Sequence, residues 1–387
     1  MVPEDEHVTA LVIIFYFCFG FLVYIYALYP LACALLAAAV NRSPRSGPLE
    51  PTVSILIAAY NEAAHIEETI KNKLVLDYPP DKIEIIVVSD GSDDGTDSIV
   101  NGFGGEQVHL IRQEPRAGKT SALNLAVPRI RNEVIVFSDA NSIYAKDALR
   151  RLVEPFTDPE VGYVTGRMVY NALDGSVTGT GCSTYMRYEN ALRVWETRIG
   201  SIVGVDGGID AVRSGLYGLM RSDQLPDLVL PLSVREKGYR IVYAHNALLY
   251  ENALADTRDE LSMRVRVCLR AWHALKDKAA LLNPFRFGLF AWQLFSHKVL
   301  RYLAPLFQVG VLLTNIPLAV VSPFWRFVLF GQSIFYVLAF LGYILQDKQL
   351  PRLITFSYYL CLVNLAAAVA LWHFLNGHRQ VMWTPRT

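Results

Sequence analysis

No charged residue occurs between Val8 and Val40, a run longer than the roughly 20 apolar residues that cross hydrocarbon as a helix. A chain with such a segment is committed to a bilayer, where the backbone donors and acceptors of a spanning segment must satisfy one another. The flanks argue against a cleaved secretory leader: Met1 to His7 is acidic rather than basic, and the apolar run is far longer than a leader core. Arg42 and Arg45 follow the run, whereas Glu4, Asp5 and Glu6 precede it. The basic flank marks the cytosolic end, so the residues after it are expected in the cytosol.

Further apolar stretches run from about Tyr302 to Val321, Phe324 to Leu345 and Leu353 to Phe374. Three more spans fit them, joined by Ser322-Pro323 and by Gln346 to Arg352. On this count Lys348 and Arg352 fall inside, in keeping with the bias of basic residues to the cytosol, whereas Arg379 and Arg386 fall outside, against it. Ahead of these spans, Asn283 to His297 is rich in Phe and Trp but too short to cross. It is either an interfacial helix or the first turns of the next span. The expected organisation is a membrane helix and its flank over 1–45, a soluble domain over 50–280, the 283–297 segment, three membrane helices over 298–376 and a tail over 377–387.

Charge and cysteine content remove several function classes. The formal net charge is +0, without the basic surplus that nucleic-acid binding needs. The spans hold almost no ionisable residue, which argues against a transporter. Cys18, Cys33, Cys182, Cys268 and Cys361 form neither a Cys-x-x-Cys pair nor a Cys/His cluster. Neither structural zinc nor a disulfide framework is expected, and the thiols in the apolar ends read as small hydrophobes.

The middle of the chain alternates strands and helices. Val53 to Ala59, Ile83 to Ser89 and Val134 to Asp139 are β-rich runs, each followed by a polar turn and a segment with helical spacing. Such βαβ order predicts an α/β domain with a mainly parallel sheet and a ligand site at the carboxyl ends of its strands. Four signals fall there. Tyr60, Asn61 and Glu62 follow the first run, and the turn Asp90-Gly91-Ser92-Asp93-Asp94-Gly95-Thr96 follows the second. Such a turn is also what tight chain reversal alone would select.

The third signal, Gly118-Lys119-Thr120, is not a P-loop, because Gln113 stands where the first glycine of that motif belongs. Lys119 at a helix amino end still suits a phosphate. The fourth pairs Asp139 with Asn141, two oxygen ligands that can share one hard divalent ion bridging a diphosphate.

In this order and spacing the four signals resemble the catalytic domain of the family 2 glycosyltransferases, whose GT-A fold binds nucleotide sugars. The resemblance continues through Val164-Thr165-Gly166-Arg167, from Tyr188-Glu189-Asn190 to Gly207-Gly208, then Pro226-Asp227-Leu228-Val229-Leu230-Pro231 and Gly238-Tyr239-Arg240-Ile241-Val242-Tyr243. It covers about residues 50 to 280, and the one-plus-three spans resemble the membrane branch that builds or decorates polysaccharides.

That resemblance implies roles. Asp90 contacts the nucleoside, Tyr60 and Glu62 shape the same pocket, and Lys119 lies near the phosphates. Asp139, with Asn141, holds Mg2+ or Mn2+, Asp227 is the catalytic base, and Arg266 steadies the diphosphate. It further implies an inverting transfer from a UDP-sugar to a glycan or lipid-linked acceptor, on the cytosolic face of a bacterial inner (plasma) membrane, among membrane lipids and with polysaccharide export partners. Transfer to a polyprenyl phosphate is the alternative within the enzyme class, and an inactive membrane scaffold the alternative outside it.

Three positions depart from the family pattern. Asn141 replaces an aspartate, Pro226 stands where an acidic residue precedes the base, and Val267 replaces the tryptophan of processive polymerases, with Trp272 out of register.

Overall fold

The computed structural model describes residues 3–171, 177–252, 257–346, 348 and 350–380. Its centre is one eight-stranded sheet: β1 (Val53–Ala59), β2 (Ile83–Asp90), β3 (Val108–Gln113), β4 (Val134–Asp139), β5 (Ile143–Tyr144), β6 (Val161–Asn171), β7 (Ile209–Arg213) and β8 (Arg240–Asn252), in the order β3-β2-β1-β4-β7-β6-β8-β5. The β3-β2-β1-β4 half is parallel throughout, as the βαβ pattern predicts. Strand β7 enters antiparallel between β4 and β6, and β8 pairs parallel with β6.

The three β-rich runs occupy β1, β2 and β4. Their side chains alternate between two cores, Val53, Ile55, Ile57, Ile85 and Val87 on one face and Leu56, Ile86 and Val88 on the other. A strand buried on both faces reads as a continuous apolar run rather than an alternating one. Helices α1 (Pro3–Val23) and α2 (Tyr29–Val40) lie ahead of the sheet; α3 (Ile66–Leu74), α4 (Thr96–Gly102), α5 (Lys119–Ala126) and α6 (Ala148–Val153) follow its first strands. The long α7 (Val177–Ile199), then α8 (Pro226–Glu236) and α9 (Thr257–Asp277), complete the catalytic-domain layer.

After α9 the chain forms two short helices, α10 (Pro284–Phe287) and α11 (Leu289–Leu294), then α12 (Arg301–Val321), α13 (Pro323–Ile344) and α14 (Arg352–Leu375). The 283–297 segment is divided at Gly288, whose φ is +54°. Its first part is α10, capped by the Asn283 side chain, and the rest runs through a π-helical turn (Phe295–Leu300) into α12. Four stretches are long and apolar enough to cross a membrane: Glu6–Val40, Leu289–Val321, Pro323–Ile344 and Arg352–Leu375. The four cysteines described, Cys18, Cys33, Cys268 and Cys361, are free thiols.

One position departs from the span count. Arg379, expected on the far side, forms an ion pair of 2.7 Å with Asp223, which lies just ahead of α8 in the soluble domain. Arg386 lies outside the described residues.

Candidate active site

Strands β1, β2 and β4 end side by side, and the loops that leave them carry the residues singled out in the sequence. Asn61 adopts φ +53°, a left-handed conformation that Asn tolerates better than most residues. Its side chain exchanges hydrogen bonds with Asp93, donating from Nδ2 to Asp93 Oδ1 (2.8 Å) and accepting from Asp93 N (3.0 Å). Asp94 accepts from Ala63 N, and Thr96 accepts from Glu62 N. Asp93 and Asp94 therefore do the turn-building work that the composition of this segment first suggests.

Asp90 is buried at the end of β2 and accepts from Ala117 N (2.8 Å) and Gly118 N (2.9 Å), as well as from the Gln113 side chain. It thus holds the loop that delivers Lys119, while a carboxylate with about four acceptor sites keeps capacity for a further donor. Beside it the Arg116 guanidinium lies 3.4 Å over the Tyr60 ring centroid. A planar cation on an aromatic face is a surface suited to a flat heterocycle.

Lys119 opens α5 after Gly118, whose φ of +91° turns the chain into the helix. Its ammonium joins two carboxylates expected to have separate tasks: Nζ is 2.7 Å from Asp139 Oδ1 and 3.9 Å from Asp227 Oδ1. Burial disfavours the ammonium, but the charges of Asp139 and Asp227 outweigh burial and hold its pKa above the usual lysine range.

Asp227 sits in the first turn of α8, where Leu225 is the N-cap. Its carboxylate accepts no hydrogen bond from any described residue, so it does not cap the helix. It rests instead against Gly207, where a Cβ would stand 2.7 Å from the carboxylate and φ is +86°. Gly207 makes the room that Asp227 occupies.

Two residues that motif reading missed complete this centre. Asp210, on β7, is fully buried and accepts from Tyr163 Oη at 2.9 Å, while its Oδ1 has no hydrogen-bond partner. Burial, reinforced by the charge of Asp227, pushes its pKa up to about 7. Arg270 on α9 donates to the Gln224 carbonyl and, at 3.4 Å, to the Thr120 hydroxyl.

Burial likewise raises the pKa of Asp227; Lys119 and Arg270 oppose this and Asp139 adds to it. The sequence singles out Arg266, for the diphosphate. Arg266 lines the same cavity, but Arg270, one turn further along, is the arginine that acts on the carboxylate. Trp272 is withdrawn from the site: its ring stacks on Phe374 at 5.7 Å and packs against Tyr302.

Glu62, Asp90, Lys119, Asp139, Asn141, Asp227, Arg266 and Arg270 line one cavity of about 400 Å³, whose lining does not include Tyr60, Arg116 or Asp210. Asp139 Oδ2 and the Asn141 amide make no hydrogen bond with any described residue, so both present oxygen atoms to that space. Among the described residues no group of three or more His, Cys, Asp or Glu side chains could enclose a metal. One carboxylate and one neutral oxygen, with the remaining ligands left to substrate phosphates and water, is a donor set that suits Mg2+ or Mn2+.

Residues 54–203, which carry β1 through α7 and most of these groups, match the model of glycosyl transferase family 2. These residues form a family 2 glycosyltransferase domain.

Among relatives of this glycosyltransferase, the poly-beta-1,6-N-acetyl-D-glucosamine synthase of Staphylococcus aureus is 27% identical over 205 residues, 51% of this chain and 49% of the synthase. The probable glycosyltransferase YdaM of Bacillus subtilis is 32% identical over 217 residues, 52% of this chain and 50% of that protein. The match thus spans about half the length of these relatives. The whole fold, membrane helices included, is shared with mannosyltransferase PcManGT from Pyrobaculum calidifontis, solved in complex with GDP-Man and Mn2+. The two superpose with a TM-score of 0.70 at 23% identity, covering 95% of this chain and 98% of that one.

Proposed function

We propose that this glycosyltransferase moves a sugar from a UDP-sugar to a hydroxyl of a glycan or lipid-linked acceptor at the membrane surface, with inversion at the anomeric carbon. The observation that carries the proposal is Asp227: a carboxylate without a hydrogen bond from any described residue, seated on Gly207, facing the cavity in which Lys119 and Asp139 meet.

A nucleotide sugar leaves a diphosphate behind, so the protein must offset departing negative charge and accept one proton. Lys119 and Arg266 supply positive charge for the diphosphate. Asp139 and Asn141 would hold a Mg2+ or Mn2+ ion, which when bound neutralises part of that charge. Tyr60 with Arg116, Asp90 and Glu62 receive the nucleoside side of the donor. Asp227 takes the proton from the acceptor hydroxyl as the hydroxyl attacks the face opposite the diphosphate; a single displacement inverts the centre without a covalent intermediate. The raised pKa of Asp227 makes it a stronger base than an ordinary carboxylate.

The reading extends to location. The bacterial sources of the two matched relatives and the four apolar helices support residence in a bacterial plasma membrane, with the catalytic domain on the cytosolic side where sugar nucleotides are made and with export partners beyond it.

The test uses purified full-length protein and a panel of sugar nucleotides, with products read by mass spectrometry and anomeric configuration by NMR. Asp227→Asn should lower turnover by roughly 10²- to 10⁴-fold, the range of general-base catalysis, with donor binding and melting temperature unchanged. A variant that binds donor, melts normally and turns over at the wild-type rate would remove Asp227 from the reaction.

A further inference from the structure

The cavity does not end at Asp227. It continues toward the membrane helices, where Tyr26 from the turn between α1 and α2 and Val363, Asn364 and Ala367 from α14 form its far wall. Tyr26 Oη donates to Asn364 Oδ1 at 3.2 Å and closes that wall.

Three cations along this extension are neutralised by carboxylates of the described residues. Arg193 lies 2.6 Å from Asp206, Arg264 lies 2.7 Å from Glu260, and Arg301 is ion-paired with Glu189. Lys298 lines the same space and makes neither an ion pair nor a hydrogen bond with any described residue.

The backbone is shaped around that ammonium. A Cβ at Gly204 would stand 2.5 Å from Lys298 Nζ and 2.8 Å from Cε, so the lysine lies directly over a glycine. Three residues further along the same loop, Gly207 lies directly under Asp227. Lys298 and Asp227 thus line one cavity, seated on glycines of a single loop. A partly buried charge without a counter-ion is unfavourable, and a neutral glycan would not relieve it. A phosphate would, and the apolar wall beyond it, built from Val363 and Ala367, suits hydrocarbon.

We propose that Lys298 is the anion-binding group of the acceptor site, and that the acceptor is a lipid-linked saccharide whose phosphate rests on Lys298 while a sugar hydroxyl reaches Asp227. The proposal rests on the transferase reading above and names the acceptor class for it.

Full-length protein in nanodiscs, with its nucleotide site filled by UDP, is titrated with farnesyl diphosphate, farnesol and inorganic pyrophosphate. The wild type should bind farnesyl diphosphate, and Lys298→Gln should weaken it by about tenfold to hundredfold, the loss expected for one hydrogen bond to a charged group. Gly204→Ala, which keeps the charge but displaces the ammonium, should weaken it as well. Farnesol should bind weakly and equally to all three proteins.

Farnesyl diphosphate that does not bind, or binds all three proteins equally, overturns the anion site. Pyrophosphate binding as tightly as farnesyl diphosphate shows a site for free phosphate and overturns the lipid assignment. UDP binding, measured on each protein, reports the donor site separately: its failure in the wild type strikes the transferase reading, while the comparison among Lys298 variants still decides this one.

Discussion

Around Lys119 three carboxylates, Asp139, Asp227 and Asp210, share one ammonium, and residues this close in a low-dielectric site cannot all ionise freely. The group that gives way is Asp210. Its pKa of about 7 lies far above the ordinary aspartate value. Below about pH 4 folded and unfolded chains both hold this proton, so Asp210 leaves stability unchanged. Between there and about pH 7 the folded protein keeps a proton that the unfolded chain releases, so stability falls as pH rises. Asp210→Asn keeps an oxygen for the Tyr163 hydroxyl and removes the titration. Its melting temperature relative to wild type should climb across that window and then level off; a difference independent of pH would show that Asp210 is not the group that titrates. Asp90, Lys119, Asp139 and Asp227 were legible in the sequence because each stands at a strand end or helix start within a recognisable motif. Asp210 was not, because it sits inside a short strand whose neighbours give no sign that its inward face meets Tyr163, 47 residues away.

Helix α9 illustrates the same limit for an element. Its arginines at 266 and 270 are four residues apart and so share one face, and motif matching selected the first. Only packing distinguishes them. Arg270 reaches Thr120, next to Lys119 on α5, and the carbonyl of Gln224, just ahead of α8 and Asp227. It therefore clamps together the two helices that bring acid and base into one cavity, and its charge lowers the pKa of Asp227. Removing that charge in Arg270→Gln should raise the Asp227 pKa further and move the acidic limb of the kcat profile to higher pH. Arg266→Gln should raise the donor KM and leave the limb in place. Equal shifts in both variants, or none in Arg270→Gln, would refute the assignment. The parallel half of the sheet was readable from its apolar runs, whereas antiparallel β7 was not, because its pairing with β4 joins segments more than 70 residues apart and no local pattern encodes such closure.

At the scale of the whole molecule, the span count puts the carboxyl end opposite the catalytic domain, whereas Arg379 near that end contacts Asp223 ahead of α8. Helix α14 runs beside α9 in nearly constant register, as Tyr359 Oη donates to Glu260 (2.9 Å) and Phe374 stacks on Trp272, and beyond α14 Arg379 reaches Asp223 (2.7 Å). Two helices held side by side share a depth. Helix α9 carries Arg264, Arg266 and Arg270, each unfavourable by about 2.5–3.5 kcal/mol at the centre of a bilayer even on the most lenient scale, so we predict that the pair lies at the surface although α14 is long and apolar enough to cross. The exposed stripe of α14, with Leu353, Phe356, Leu365, Trp372 and Leu375, then lies against lipid while its other face covers the acceptor end of the cavity. This arrangement also brings Lys348, Arg352 and Arg379 to one side, the distribution that the bias of basic residues favours. In a chain stripped of its native cysteines, single cysteines at Lys146, Asn376 and Ser322 separate the alternatives through labelling of intact cells with a membrane-impermeant maleimide. Lys146→Cys and Asn376→Cys should both be protected until the membrane is permeabilised, and Ser322→Cys, between α12 and α13, should label at once. Labelling of Asn376→Cys in intact cells alongside a protected Lys146→Cys would carry α14 across the bilayer and separate the carboxyl end from the domain it touches.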